Sequence, residues 1–457
     1  MTELEYFKGD ELAASTWRNK YATEGEQTPD DTHKRLAKEF ARVEENYRWS
    51  QEGRLSLSNY GYQRPHLDEE AIYQLFKDFK YIIPGGSVMS GCGTGALVSL
   101  SNCFVIGSPK DSYAEIMKTR SQQAQLMKRR GGVGYDLSQL RPRGAKVNNA
   151  AKSSTGAASF MDVCSDITNE VAQNGRRGAL MLSMSINHPD IEEFITKKQD
   201  LTKVTGANIS VKVTDEFMRA VENDKDYLLR FPINQKLSYF SKDYLDIEYN
   251  KLTYLEDPKR DNEVFWIKKV RARELWNTLM HCAWNTAEPG IMFEGAMHNY
   301  SPDGVYPDFK MVGTNPCGEI PMGPFDSCRL IHINLASYIV NPFTDKAHID
   351  EELLYMHSYE AMRLADDLVD LEIEAVDRII DTVKNDTDDT EFKLWSRIKE
   401  TAIQGRRAGL GFTGLADAIA MLGLKYDSDE GISQVEQLMK VMFKGQLDSN
   451  IDMAIER

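Results

Sequence analysis

The chain has 457 residues, of which 41% are apolar and 27% are charged, and its formal net charge is −15. This length suits one large α/β domain or two to three ordinary ones, and the apolar share supports a sizeable core. The negative charge argues against a nucleic-acid partner, and the absence of any apolar run near the ~20 residues of a membrane span argues against a membrane protein.

The first residues, MTELEYFKGDEL, are acidic and lack the basic and apolar regions of a signal peptide, which predicts a cytoplasmic protein. Residues 1–95 are predicted to be mainly helical. One amphipathic helix is expected from Pro29 to Tyr47 and another from Asp68 to Phe79, with a polar, glycine-containing loop from Trp49 to His66 between them.

From Leu97 onward, short apolar runs alternate with longer helical patterns, which is typical of βα units. This alternation predicts an α/β fold whose sheet closes in the manner of a barrel. The predicted strands are Leu100–Ile106, Val133–Leu137, Ala179–Ser185, Ile209–Val213, Ile291–Glu294 and Leu330–Leu335. The predicted helices are Asp111–Lys128, Gly156–Asn174, Asp190–Lys198, Asp215–Glu222, Ala272–Thr286 and Asp350–Lys384.

Two segments interrupt this alternation. Phe240–Trp266 is charged and aromatic and is predicted to be a surface excursion, and Asn385–Glu391 is predicted to be a solvated acidic loop. Arginine pairs stand beside glycine at positions 129–130, 176–177 and 406–407. Such cationic turns suit a small phosphorylated ligand; the alternative is that each pair only caps a helix C-terminus.

Six cysteines occupy positions 92, 103, 164, 282, 317 and 328, without a C-x-x-C pair, so zinc-finger spacing is absent. A disulfide framework is not expected in a long cytoplasmic chain, but a few of these thiols are candidates for redox chemistry. Cys164 and Cys282 lie in helical apolar patterns and are predicted to belong to the core. Cys92 lies in a glycine-flanked turn and receives a structural interpretation.

The segment Asn315-Pro316-Cys317-Gly318-Glu319 places an amide, a thiol and a carboxylate within five residues. Pro316 favours extended geometry at Asn315, which predicts that side chains 315, 317 and 319 face one side. Gly318 permits a sharp turn or a close approach to a ligand. The segment is therefore a candidate catalytic tip, and the alternative is a buried structural cysteine.

In this order and context, the motifs resemble the large catalytic (α) subunit of ribonucleotide reductase from about Phe7 to the C-terminus. The segments that carry the resemblance are SLSNCFVIG, MKRRGGVGYDLSQLRPRG, EVAQNGRRGALMLS, KVTGANISVKV, GTNPCGEIP and DSCRLIHINL. The family reduces ribonucleoside di- or triphosphates to deoxyribonucleotides by radical chemistry inside a ten-stranded α/β barrel. The resemblance implies a mainly helical region over residues 1–95, followed over 96–457 by an incomplete barrel whose central loop carries the catalytic cysteine.

The resemblance also implies roles for five residues. Cys317 is expected to be the thiyl radical site that abstracts the 3′ hydrogen of the ribose, Glu319 the base for the 3′-hydroxyl, and Asn315 a hydrogen-bond partner of a substrate hydroxyl. Cys103 and Cys328 are expected to supply two electrons and become a disulfide, which requires their Cα atoms to lie within ~7 Å of each other. Such radical chemistry needs a site from which water is excluded.

Binding residues follow from the same resemblance. Gly131 and Gly132 correspond to a turn against the substrate, and Asn102 and Ser87 are further candidates near the sugar or the phosphates. A dNTP or ATP effector that governs substrate choice is expected at Asp111 and Arg141. The specificity loops correspond to Gly144–Ser154 and Ala172–Ala179, in which Gln173 and Arg177 are expected to link effector and base.

The sequence departs from the family pattern at both ends: with a start at Met1 no ATP-cone domain is expected, and Arg457 falls within a predicted helix before the rest of the expected barrel. We therefore expect the N-terminal part of a split or truncated subunit, inactive until a complementary C-terminal fragment completes it. The other expected partners are a radical-generating small subunit, thioredoxin or glutaredoxin as reductant, and a second copy in a homodimer. The small subunit is expected to hold a dimetal-carboxylate cofactor, with adenosylcobalamin as the alternative radical source. No metal is expected in this chain, which lacks paired Glu-x-x-His helices.

Two other functional classes remain open. The first is a non-catalytic regulatory relative that binds dNTPs without turnover, although the presence of Asn315, Cys317 and Glu319 favours a reductase. The second is a thiol hydrolase that uses Cys317, for which only His298 and His332 are close in sequence.

Overall fold

Residues 1–49, 57–171, 178–232, 248–257 and 263–457 are described by a computed structural model. They divide into two units. Unit one comprises Met1–Asn102, Ser327–Thr387 and Trp395–Arg457, and unit two comprises Cys103–Asp326 and Asp388–Leu394. The region 1–95 lies within unit one, and the division of the chain at residue 96 stays a prediction.

The described residues form sixteen α-helices, and several begin at residues whose side chains cap the first turn. Ser112, Thr214 and Asp350 accept hydrogen bonds from the backbone N–H groups three residues further on. The helices are α1 Glu3–Tyr6, α2 Glu11–Lys20, α3 Pro29–Arg48, α4 Asn59–Gln63, α5 Glu69–Phe76, α6 Gly86–Gly91, α7 Tyr113–Met127, α8 Met161–Glu170, α9 Ile191–Thr196, α10 Asp215–Glu222, α11 Ala272–Thr286, α12 Glu294–Tyr300, α13 Glu351–Val383, α14 Thr390–Gly405, α15 Leu415–Met421 and α16 Asp429–Glu456.

Sixteen strands are found in the same residues, and each of the six predicted strands overlaps one of them. They are β1 Ile82–Pro84, β2 Cys103–Val105, β3 Gly132–Asp136, β4 Leu180–Ser185, β5 Asn208–Val213, β6 Asp226–Pro232, β7 Thr253–Asp257, β8 Glu263–Arg271, β9 Gly290–Phe293, β10 Gly313–Thr314, β11 Pro321–Met322, β12 Ser327–Cys328, β13 Leu330–Asn334, β14 Ile339–Val340, β15 His348–Ile349 and β16 Gly409–Thr413.

Unit two is built on five parallel strands in the order β2-β3-β4-β5-β9. Helices α7, α8 and α9 lie in turn between successive strands up to β5, as parallel neighbours require a crossover connection. All five residues of β3 are buried, because helices and loops cover both faces of a parallel sheet. This succession of βα units forms half of the ten-stranded α/β barrel that the sequence predicted.

An antiparallel sheet in the order β6-β8-β7 is inserted between β5 and β9. The surface excursion predicted for Phe240–Trp266 is therefore wrong for its described part. Burial alternates along the middle of β8: Phe265 and Ile267 are buried, whereas Trp266 and Lys268 are partly exposed and Lys268 pairs with Glu192. Residues 240–247 and 258–262 lie outside the described part of the chain.

Unit one is centred on α13, whose 33 residues carry buried side chains along the whole helix, including Leu364 and Leu368. Helices α3 and α16 pack against it, and β1 pairs antiparallel and β16 parallel with β13. The predicted loop Trp49–His66 contains the short helix α4, which Ser58 caps through Gly61 N–H; residues 50–56 are not described. Among the described helices, none has the length and apolar character needed to cross a bilayer.

Candidate active site

The segment that carries Cys317 is the tip of a hairpin. Strands β10 and β11 pair antiparallel, and the backbone oxygen of Asn315 accepts the N–H of Gly318 at 3.0 Å. Gly318 has a φ of 84°, a left-handed conformation that closes the turn. The predicted alternation of residues 315, 317 and 319 is therefore wrong: Asn315 is buried, whereas Cys317 and Glu319 are exposed.

Cys103, the first residue of β2, is buried and lies beside Cys317. A hydrogen bond from Cys103 stabilises the Cys317 thiolate and lowers the pKa of Cys317 to about 7, although partial burial and the carboxylate of Glu319 act in the opposite direction. The structure thus brings together three of the predicted catalytic residues. A thiol with this pKa is substantially ionised at neutral pH.

The glycine turn at Gly131 and Gly132 contacts both thiol-bearing segments. A Cβ atom on Gly132 would lie 3.0 Å from Cγ of Pro316 and 3.4 Å from Sγ of Cys103. A Cβ atom on Gly131 would lie 2.6 Å from the ring of Phe104. The predicted substrate turn is therefore next to Cys103 and the Cys317 loop, and larger residues do not fit there.

The side chain of Asn315 has one satisfied and one unsatisfied end. Its Oδ1 accepts the backbone N–H of Ile320 at 3.0 Å, which sets the orientation of the amide. Its Nδ2 is buried and has no hydrogen-bond partner among the described residues. Buried donors are normally paired, so this one is available to a ligand.

Gly134 and Asn208, to which no sequence motif assigned a role, hold the Cys317 loop against strands β3 and β5. A Cβ atom on Gly134 would lie 1.9 Å from the backbone oxygen of Thr314, so this oxygen occupies the space of a side chain. Asn208 Nδ2 donates to the backbone oxygen of Pro316 at 2.9 Å. A glycine inside a strand, here Gly134 in β3, is the signal from which this close approach could have been inferred.

Cys317 itself is exposed in the described chain, so the expected exclusion of water from the thiol is not met there. The reason is that contacts converge on the neighbouring residues: Asn315 and Pro316 are buried, whereas the turn at Gly318 directs the next residues outward. The described residues therefore leave the Cys317 thiol open to solvent, and other groups are needed to cover it.

The remaining catalytic and substrate candidates belong to unit one. Cys328 is buried, and its backbone oxygen accepts the N–H of Asn102 at 3.2 Å. Asn102 Oδ1 in turn accepts the N–H of Ser87 at 3.2 Å. Residues 99–101, just before Asn102, are held by the buried carboxylate of Glu372. The pairing of Cys103 with Cys328 stays a prediction.

Two of the four predicted effector ligands contact each other. Asp111 and Arg141 form an ion pair of 2.7 Å, and Asp111 also accepts the backbone N–H of Arg141 at 3.0 Å. The segment Gly144–Ser154 folds back on itself through a hydrogen bond from Gly144 N–H to the Ser154 backbone oxygen. Gln173 and Arg177, and residues 172–177 of the second specificity loop, lie outside the described residues, and all four effector roles stay predictions.

The segment Asn385–Glu391 was predicted to be a solvated acidic loop, but its last residue is buried. Glu391 lies in the first turn of α14, is 5% exposed, and pairs with Arg129 at 3.1 Å and with Lys128. Arg406 likewise follows a helix and pairs with two carboxylates, those of Asp366 and Asp370. Two of the arginine pairs thus stand at helix C-termini, and positions 176–177 are not described.

The buried positions of Cys164 and Cys282 confirm their assignment to the core, and Cys92 is buried as well. Cys317 is therefore the exposed cysteine among the six, all of which the structure describes. This difference makes the reactivity of Cys317 measurable in the intact chain.

We expect alkylation of Cys317 by iodoacetamide to rise with pH through a midpoint near 7, because the thiolate is the reactive species and its pKa is about 7. Cys103→Ala removes the hydrogen bond and should move the midpoint toward the ordinary thiol value of about 8.5. Peptide mapping by mass spectrometry measures the rate at each cysteine. Cys282→Ser is the control, and a wild-type midpoint at the ordinary value would contradict the contact with Cys103.

Comparison with known sequences identifies the family. The sequence model of the ribonucleotide reductase barrel domain matches residues 101–457. The vitamin B12-dependent ribonucleoside-diphosphate reductase of Thermoplasma acidophilum is 33% identical over 364 residues, which cover 78% of this chain and 40% of that relative. The ribonucleoside-diphosphate reductase subunit alpha of Chlamydia pneumoniae is 26% identical, with 81% of this chain and 33% of the relative covered. The chain spans less than half the length of these curated relatives.

Among solved structures, the alpha subunit of the class Id ribonucleotide reductase of Actinobacillus ureae is similar, with a TM-score of 0.66 and 17% sequence identity. The match covers 99% of this chain and 69% of the solved one. At this identity the likeness shows the fold, which agrees with the half-barrel of unit two.

Proposed function

The chain belongs to the ribonucleotide reductase barrel-domain family, and we propose that it carries the catalytic thiol site of a ribonucleoside-diphosphate reductase large subunit. The observation that carries this proposal is the contact between Cys103 and Cys317 beside the turn of Gly131 and Gly132. Two thiols next to a glycine turn, with the unsatisfied amide of Asn315 in the same loop, suit a sugar that is to be reduced.

In the proposed reaction, the Cys317 thiyl radical takes the hydrogen atom from C3′ of the ribose and becomes a thiol. Glu319 accepts the proton of the 3′-hydroxyl and returns it to the 3′ oxygen at the end of the cycle, and the 2′-hydroxyl takes up one of the two dithiol protons and leaves as water. Cys103 and Cys328 together give two electrons and two protons and become a disulfide. Cys317 then returns its hydrogen atom to C3′, so the net change is one dithiol oxidised for each ribonucleotide reduced. A radical source, when bound, supplies the oxidation of Cys317 that starts the cycle.

Asn315 and the glycine turn have binding roles in this proposal. The buried Nδ2 of Asn315 donates to a substrate hydroxyl, which removes the cost of an unpaired donor. Gly131 and Gly132 let the backbone turn lie close to Cys103 and the Cys317 loop, where the substrate is proposed to bind. Asn102 and Ser87, from unit one, provide further contacts near the sugar or the phosphates.

The partners follow from the same site. Because Cys317 is exposed, we propose that a complementary polypeptide supplies the rest of the barrel and covers the thiol during radical chemistry. A small subunit with a dimetal-carboxylate cofactor generates the radical, with adenosylcobalamin as the alternative. Thioredoxin or glutaredoxin reduces the disulfide in the cytoplasm. In a homodimer, Asp111, Arg141, Gln173 and Arg177 hold the dNTP or ATP effector.

The test is reconstitution of turnover. The chain is mixed with the polypeptide that carries the remaining barrel segments, a thiol reductant and ribonucleoside di- or triphosphates, in one arm with the small subunit and in the other with adenosylcobalamin. We expect deoxyribonucleotide formation in one arm and none when the chain is omitted. No product in either arm, together with a rise in thermal stability on addition of dNTPs, would instead support the non-catalytic regulatory alternative.

A further inference from the structure

Unit two contains a buried lysine that the proposed reaction does not use. Lys212, on β5, has its Nζ 3.0 Å from Oδ2 of Asp136 and 3.6 Å from Oε1 of Glu294. The same Nζ donates to the backbone oxygen of Val312 at 3.4 Å. Asp136 ends β3, Glu294 begins α12, and Val312 immediately precedes β10, so the lysine joins four separate segments.

The two carboxylates keep this lysine charged. Burial alone lowers the pKa of Lys212, but Asp136 and Glu294 outweigh burial and raise it above the ordinary value. Asp136 is itself held in place by Ser183 Oγ at 2.8 Å and by the N–H of Ser138 at 2.9 Å. At neutral pH, Lys212 therefore presents a charged donor to the backbone oxygen of Val312.

Stability alone is a weak reason for such an arrangement. Taking a lysine and an aspartate out of water is costly, and well-packed apolar groups in the same place usually stabilise a fold as well or better. What the charged group adds here is a directed contact to Val312. The N–H of Val312 donates to the backbone oxygen of Met322 at 3.0 Å, so Val312 closes the base of the hairpin that carries Cys317.

Strand β5 holds this hairpin at two points. Asn208 and Lys212 lie four residues apart on one strand, and side chains at this spacing face the same side. Asn208 binds the backbone oxygen of Pro316 at the tip, and Lys212 binds that of Val312 at the base. Together the two contacts define where the tip lies along the strand, and hence its distance from Cys103.

We propose that Lys212 is a positioning residue which, with Asp136 and Glu294, holds the base of the Cys317 hairpin so that Cys317 stays within hydrogen-bonding reach of Cys103. The relevance of this contact to catalysis rests on the proposed function, whereas the contact itself can be tested without turnover.

The test uses the double variant Lys212→Met/Asp136→Asn in the full chain. Removing both charges avoids an unpaired carboxylate at Asp136, whereas Glu294, which also loses its lysine, is partly exposed to water. A cavity of about 440 Å³ lined by Lys212, Asp136 and Glu294 leaves room for the new side chains. We expect thermal stability to be nearly unchanged. The alkylation rate of Cys317 at neutral pH should fall by about threefold to tenfold, as its pKa rises toward that of an ordinary thiol.

The matched control is Lys269→Met/Asp226→Asn. Lys269 is also buried in unit two and lies 3.6 Å from an aspartate, but it belongs to the inserted antiparallel sheet. This variant should alkylate like the wild-type chain. The conservative variant Lys212→Arg, which keeps the charge, should restore most of the wild-type rate.

Folding of the double variant and the alkylation profile of its Cys317 together test the positioning role. A folded double variant with the wild-type alkylation profile would show that Lys212 does not position Cys317. If the double variant does not fold while the control does, the lysine is a stabilising element of the unit and the proposal is rejected. If the profile shifts as expected but the reconstituted wild-type assembly makes no deoxyribonucleotide, the positioning role stands and the proposed function fails.

Discussion

Replacing Cys317 with serine should abolish ribonucleotide reduction in the completed assembly, with a loss of at least about a thousandfold, equivalent to about 4 kcal/mol of transition-state stabilisation. The serine O–H bond is stronger than the thiol S–H bond, so a source that generates a thiyl radical cannot generate the oxygen radical. Serine is otherwise close to cysteine in size and leaves the hairpin intact. The measurement is deoxyribonucleotide formation, with dNTP binding followed by thermal shift in the same preparations.

Effector binding provides the internal check on this substitution. Asp111 and Arg141 lie outside the Cys317 loop, so dNTPs should stabilise the serine variant as much as the wild-type chain. Cys282→Ser, which alters a buried cysteine of α11, should retain activity. Loss of dNTP binding in the Cys317 variant would mean that the assignment of residues to the two sites is wrong.

Replacing Gly134 with alanine should displace the whole Cys317 hairpin. The added Cβ would lie 1.9 Å from the backbone oxygen of Thr314 and 3.1 Å from its carbonyl carbon. A backbone group cannot rotate away as a side chain can, so the hairpin has to move. We expect a loss of about 1–3 kcal/mol in the free energy of unfolding, measured by urea denaturation, and slower alkylation of Cys317 at neutral pH.

Gly313→Ala is the matched control for this prediction, because it adds the same methyl group to the hairpin itself. Its Cβ would meet Ser183 Oγ at 3.5 Å, an ordinary van der Waals contact. The stability change should stay below about 1 kcal/mol. Equal losses of unfolding free energy in the two variants would show that the contact of the Thr314 backbone with Gly134 does not hold the loop in place.

Most secondary structure of unit two could be read from local patterns. Strands β3, β4, β5 and β9 and helices α10 and α11 were predicted to within a few residues, because buried parallel strands form short apolar runs between amphipathic helices. The β6-β8-β7 sheet was missed. Its charged and aromatic composition is typical of a surface loop, and the run of apolar residues in β8 has no polar alternation; one of its faces becomes buried only because β6 and β7 pair on either side of it.

For the candidate site, too, the sequence predicted some features and missed others. The motifs identified Cys103, Cys317 and the glycine turn, and the structure places these together. They did not reveal that Asn315 is buried while Cys317 is exposed, since that depends on the fit of Thr314 against Gly134. Lys212 stands in the segment KVTGANISVKV, but no motif assigned it a role, because one lysine in an apolar strand acquires a role only through Asp136, Glu294 and Val312.

The amino-acid sequence by itself determined the family, the parallel βα succession, and which side chains carry thiol, amide and carboxylate groups. Only the tertiary structure decided how these groups face one another, which of them meet solvent, and which buried charge supports the reactive hairpin. The physical reason is that propensity and periodicity act over a few residues. The pKa of Cys317 and the unpaired amide of Asn315 instead arise from contacts between segments far apart in the chain.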